Sequence, residues 1–380
     1  MSEHALPSGA PAPVPLGAGR LEGLDLWRAL LMLGGLFVHA SMCLPSQPLF
    51  SVVGDISSAF RMGCFFAVSG LLSAMILDRR DPALWLNRRM GQLGVPALFG
   101  FLLISPLVWA LVNATRGPMV RPALMPFEWH HLWFLFALML YSAGAVALHL
   151  AQRRFDLIGR LDRRVGRGSV VLVVALVAAV AASLFWLAQP MLRVSLSADY
   201  AHAFRSTEQI AGFAPMFLLG FVLGRADRLR ARALGATWLG LAILALTALA
   251  YAATIWHPAL MPARDAVRFV AAALCPPAAF LLVLRSALSI RRVPKLARQL
   301  ADASYTIYLL HYPIAVAFNT QVAPGMEPHI AYALCVAVAG LVSFGIHQLL
   351  VTRSAALRFV LNGKWPQPSA DPALRPVRPA

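Results

Sequence analysis

The apolar residues of this chain gather into runs of roughly 16 to 23, close to the ~20 that carry an α-helix across a bilayer. The runs fall at about 24–43, 56–77, 95–113, 131–150, 169–189, 207–224, 235–255, 266–284, 302–320 and 330–351. They predict an all-α fold, a polytopic membrane helical bundle of about ten transmembrane helices. An even number of crossings leaves both termini on one face. Short polar loops separate the runs, and their charge is uneven. Loops after the second, fourth, sixth and eighth runs hold Arg79, Arg80, Arg88 and Arg89, then Arg153, Arg154, Arg160, Arg163, Arg164 and Arg167, then Arg225, Arg228, Arg230 and Arg232, then Arg285, Arg291, Arg292, Lys295 and Arg298. The opposite set has Arg116, Arg121, Arg193 and Arg264 as its clear members. By the positive-inside rule the basic loops and both termini are cytoplasmic.

Composition agrees with the pattern. At 59% hydrophobic and 13% charged residues, with a mean hydropathy of +0.69, the 380-residue chain has too little polar surface for a soluble globule. Its net charge of +17 comes with no nucleic-acid fold motif and follows from the cytoplasmic arginines, so no nucleic acid is expected as a partner. Cys43, Cys64, Cys275 and Cys335 stand singly in apolar segments and suggest packing, with neither a disulfide framework nor a metal site. Residues 1–20, with Pro7, Pro11, Pro13 and Pro15, read as a disordered cytoplasmic tail and not a cleavable signal peptide. Residues 21–355 form the transmembrane domain, and 356–380 a cytoplasmic C-terminal tail in which LRFVLNGKW is expected to make a short interfacial helix. No loop is long enough for a folded extramembrane domain, so the spans must carry the function.

The first run, GLDLWRALLMLGGLFVHASMCL, carries Asp25, Arg28 and His39 where a lipid-facing helix carries none. Each ionisable group costs a few kcal/mol at the bilayer centre, roughly 2.5 to 3.5 for Arg or Asp, so they are expected to face protein or water. At 3.6 residues per turn all three share one stripe with Met32 and Gly35, and His39 stands roughly 16 Å beyond Arg28 along the axis. In the second run Arg61 is placed near the depth of His39, where it can hydrogen-bond an anion or can snorkel to the outer headgroups. The fourth run opens on His130 and His131, of which at most one reaches an interior cleft; the other reading is a purely interfacial histidine. The ninth carries Tyr305, Tyr308, His311 and Tyr312 at helical spacing before Pro313, which is expected to loosen its turn; the pattern fits a lined cavity or a packing histidine. The loop LNRRMGQLGVP at 86–96 suits phosphate through Arg88 and Arg89, or serves only to orient the chain.

Arg28, ten intervening residues and His39, followed by RMGCFFAVSG, HLWFL and ASYTIYLLHYP in that order, resemble the acyltransferase-3 family of bacterial inner-membrane acyl transferases over nearly the whole chain. Together the strings are specific, although each alone is weak. SAFRMGCFF, GVP and the closing LRFVLNGK are similar to a branch that succinylates a periplasmic glucan. The resemblance implies that His39 is the catalytic base, acting with Arg28 and Asp25 on the same stripe, and that Arg28 positions the donor. It implies that Arg61 and His131 stabilise charge or orient the acceptor, while Tyr308 and His311 line the cleft. The implied donor is an acyl-coenzyme A, expected to be succinyl-CoA, with its phosphates near Arg88 and Arg89 and no tightly bound cofactor. An acyl-histidine intermediate is the alternative route. The family often has an Arg-x-x-Arg pair at the start of the third span; aligned on Pro96 this chain offers Arg89 and Gln92, leaving half of that clamp neutral. Two alternatives stay open: an O-acetyltransferase of another surface glycan, and a transporter of acyl or sugar compounds, which would also bury Arg and His in its spans.

Overall fold

The computed structural model describes residues 22–116, 129–165, 198–290 and 292–364. Among these the chain forms thirteen α-helices and no strands. They are α1 (Glu22–His39), α2 (Pro48–Leu77), α3 (Pro82–Phe99), α4 (Ser105–Arg116), α5 (Trp133–Phe155), α6 (Leu157–Val165) and α7 (Ala198–Arg225). Then follow α8 (Asp227–Gly235), α9 (Thr237–Trp256), α10 (Arg264–Ser289), α11 (Lys295–Gln321), α12 (Pro328–Ile346) and α13 (Ala355–Asn362). Six helical segments are long and apolar enough to cross a membrane: 48–77, 82–114, 133–155, 237–256, 258–289 and 328–351. A seventh arises if the end of α7 and α8, bent by 109° at Ala226, count as one span. The expected fifth span, at 169–189, lies outside the described residues.

The first and ninth expected spans form the long helices α1 and α11, yet neither is among the apolar six. Glu22, Asp25 and Arg28 interrupt α1, and Tyr305, Tyr308, His311 and Asn319 interrupt α11. The two helices pack against each other in the interior, where a polar face can be satisfied by protein instead of lipid. Helix α9 behaves oppositely. On α9, Leu241, Leu246 and Leu249 are all exposed, and Trp238 and Trp256 mark its two ends as an aromatic belt does.

Local chemistry sets the helix starts. Asp81 caps α3 by accepting from Leu84 N at 2.8 Å, with Pro82 in the first turn. Glu327 caps α12 through Ile330 N at 2.9 Å. The stretch expected as a basic loop at 86–96 is therefore helical: α3 begins at Pro82 and puts Arg88 and Arg89 on a helix. Hydropathy had placed the span later because charges on one helix face lower the average of a window that also holds Trp85 and Leu93, both buried.

The bundle closes around α2 and α7, which run in parallel with backbones almost touching. A Cβ on Gly220 would stand 1.8 Å from Ala67 O, and one on Gly70 2.0 Å from Phe217 O. Gly220 and Gly224 make a small-xxx-small face of the kind that lets membrane helices approach closely. At the end rich in arginine, Arg225 bridges Asp78 and His149, tying α7 to α2 and α5. At the opposite end Arg268 holds Asp55 at 2.6 Å and Tyr251 donates to the same carboxylate, tying α10 and α9 to α2.

Candidate active site

The inward stripe of α1 meets two different environments. From Asp25 through Arg28 and Ala29 to Met32 it lines a cavity of about 550 Å³. That cavity opens at the arginine-rich end, where exposed Arg298 pairs with Glu22 at 3.1 Å and Lys364 with Asp302 at 2.7 Å. Arg89 and Gln92 come from α3, Tyr305 from α11, and Phe65, Phe134 and Leu138 close the inner end. Arg28 and Arg89 are near enough to repel each other, and both lie within electrostatic reach of Tyr305. Arg89 Nε and the Tyr305 hydroxyl are buried with no hydrogen-bond partner among the described residues. A buried donor left without an acceptor costs about 1–3 kcal/mol, and these two, from different helices, line the same cavity. Arg88, placed with Arg89 by the resemblance, is exposed and does not line the cavity.

Beyond Met32 the stripe reaches Gly35 and then His39. Gly34 and Gly35 leave room for the Arg61 side chain to lie across α1: a Cβ on Gly34 would meet Arg61 Cδ at 2.8 Å, and one on Gly35 would meet Nη1 at 3.3 Å. Arg61 Nε donates to Ser57 at 2.7 Å, and Nη1 to Leu31 O at 3.3 Å. The guanidinium thus sits about one turn, roughly 5 Å, nearer the cavity than His39 and not level with it as the spacing suggested. It is drawn inward across α1, not out to the headgroups.

His39 ends α1 and stands in a cluster of rings. Its centroid lies 5.3 Å from that of His311, 6.1 Å from His131 and 5.1 Å from Tyr312. His131, in the 3-10 turn before α5, stacks on Tyr312 at 4.7 Å. His39 is half-buried, whereas His131 and His311 are almost wholly enclosed. A carbonyl can only accept, so the 2.9 Å bond between His311 Nδ1 and Ile307 O puts the proton on Nδ1. In the neutral ring Nε2 then carries the lone pair, and it has no partner among the described residues.

Tyr308 separates the two environments. Its ring meets Phe134 edge-on at 4.4 Å, and its hydroxyl donates to the backbone carbonyl of His131. Phe65, Phe134 and Tyr308 thus form an aromatic partition between the cavity and the histidines. One residue of this site had no signal in the sequence pattern. Asn319 Nδ2, buried on α11, donates to Ala40 O at 2.8 Å and Met42 O at 2.7 Å, satisfying carbonyls just past the end of α1. Tyr332 does the same for Phe37 O at 2.8 Å. These side chains fix where α1 stops, and therefore where His39 points.

A cationic cavity backed by buried imidazoles, inside a bundle of long apolar helices, is the architecture of an integral-membrane protein with a polar interior. Residues 21–348 match the acyltransferase-3 family model, described as an acyltransferase domain; the chain belongs to that family. Among curated proteins it is similar to those named "Glucans biosynthesis protein C" from Salmonella paratyphi B (strain ATCC BAA-1250 / SPB7), Salmonella heidelberg (strain SL476) and Salmonella schwarzengrund (strain CVM19633). Each is 29% identical over 162 residues, which cover 37% of this chain and 40% of the relative. No solved structure matches it.

Proposed function

We propose that the protein moves a succinyl group from coenzyme A, entering at the cytoplasmic face of the inner membrane, to a hydroxyl of a periplasmic glucan. The observation that carries this reading is the order along one face of α1: a cationic cavity with unsatisfied donors first, and a histidine cluster beyond it. The name shared by the matched relatives supports a glucan acceptor. The placing of the cavity mouth at the arginine-rich end, read with the positive-inside rule, supports cytoplasmic termini and a cytoplasmic donor.

In this scheme Arg28 and Arg89 hold the donor's phosphates, and the thin pantetheine arm passes the Phe65, Phe134 and Tyr308 partition toward His39. The acceptor hydroxyl attacks the thioester carbonyl carbon as His39 takes its proton; the C–S bond then breaks, and the imidazolium returns the proton to the departing thiolate. His311, with its lone pair at Nε2, helps the cluster share that proton. Arg61, between cavity and cluster, faces either the free carboxylate of a succinyl group or the transient oxyanion. The test is the product: glucan isolated from cells with and without the protein, compared for anionic charge. More negative glucan in the expressing cells is expected. Equal charge in the two pools would remove the succinyl assignment and leave acetylation in its place.

A further inference from the structure

The chain returns to the cavity after α13, at a point where the sequence suggested only an interfacial helix and a tail. Ser354 caps α13, and Gly363 ends it in the left-handed conformation, φ +60°. A Cβ there would stand 2.3 Å from Gln92 O and 2.4 Å from Gln92 Cα, so this glycine lies directly on the α3 backbone. Asn362, 8% exposed, accepts from Thr306 Oγ1 at 2.8 Å, and Thr306 also meets His347 Nδ1 at 2.8 Å. The other nitrogen of His347 faces Asp302 Oδ2 at 3.3 Å. Buried polar contacts on α11 and the end of α12 therefore hold the segment in place.

We infer that the docked segment Asn362–Lys364 is a wall of the donor site, and that Lys364 supplies a cation to the donor's phosphates beside neutral Gln92. Lys364 lines the same cavity as Arg28, Arg89 and Gln92. One of its three ammonium donors goes to Asp302; no other partner is present among the described residues. Asp302 divides its carboxylate between Lys364 and His347, so it anchors the ammonium at the mouth without fully spending its hydrogen-bonding capacity. Four cations, Arg28, Arg89, Arg298 and Lys364, face three carboxylates, Glu22, Asp25 and Asp302, across the cavity. The balance favours an anionic ligand, and two of the cations at its edge come from outside α1 and α3.

The inference rests on the reading of the cavity as a coenzyme A thioester site, and the experiment separates the two. In detergent-purified full-length protein, Lys364→Ala is expected to raise KM for succinyl-CoA roughly tenfold, with a smaller effect on kcat, as loss of one charge-assisted contact does. Succinyl-pantetheine, which lacks the phosphates, should show the same KM with both proteins. Gln92→Arg, which places a guanidinium on the same wall, should lower KM for succinyl-CoA in the wild-type background and restore it in the Lys364→Ala protein. Gly363→Val, which lifts the segment off Gln92, should reproduce the Lys364→Ala defect with the lysine still present. An unchanged KM in Lys364→Ala, or an equal rise for succinyl-CoA and succinyl-pantetheine, overturns the role of Lys364 and leaves the donor reading standing. A wild-type protein that turns over succinyl-pantetheine as well as succinyl-CoA, with equal KM, removes the phosphate site itself and the inference with it.

Discussion

His39→Ala is expected to leave an inserted, folded protein whose acyl transfer falls by 10²-fold or more, the typical cost of losing a general base. The residue is half-buried at the end of α1, and the carbonyls beyond it are held by Asn319, so its side chain is not needed to terminate the helix. Binding of coenzyme A, measured by calorimetry in detergent, should be unchanged, because His39 does not line the cavity. The pairing of intact donor binding with lost turnover is the informative result. Loss of both together would mean that His39 supports the bundle and does no chemistry.

Arg61→Leu is expected to have a comparable effect for a different reason. The guanidinium fills the space above Gly34 and Gly35 and donates to Ser57 and Leu31 O, so it stands on the route from the cavity to His39. A succinyl group ends in a carboxylate, which needs a cationic partner if it is to leave water. If Arg61 is that partner, the variant should lose succinyl transfer by about 10²-fold and keep most of any acetyl transfer, read by supplying each thioester in turn. An oxyanion role would depress both alike by about 10² to 10³. Rates for both donors close to wild type would leave Arg61 as packing between α1 and α2.

The stripe on α1 was legible because Asp25, Arg28, Met32, Gly35 and His39 repeat at helical spacing in one segment, and the helix is continuous across them. His131, Tyr308 and His311 were legible as polar positions in apolar runs, and the structure gathers the two histidines around His39 with Tyr308 against both of them. What escaped depended on partners far away in sequence. Asn319 is one amide in an apolar helix, and nothing near it shows that it reaches carbonyls 277 and 279 residues earlier. Gly363 reads as an ordinary helix stop; its contact with Gln92, and so the placing of Lys364 at the cavity, exists only in three dimensions. Arg61 was assigned the wrong depth because residue spacing gives height along its own axis, while a long side chain can reach a turn away. The runs read as spans at 24–43 and 302–320 form α1 and α11, which fall short of the apolar six because of their inward polarity, since a helix sheltered by others need not be apolar.

In the proposed reaction donor and acceptor reach His39 from opposite faces of one bundle. The direct measurement reconstitutes the protein in vesicles, sorts the two orientations with a C-terminal tag, encloses glucan in the lumen and supplies labelled succinyl-CoA outside. Labelled glucan should form inside vesicles whose tag faces outward, and His39→Ala vesicles should form none. Label transferred only when glucan and succinyl-CoA share one compartment would contradict the claim.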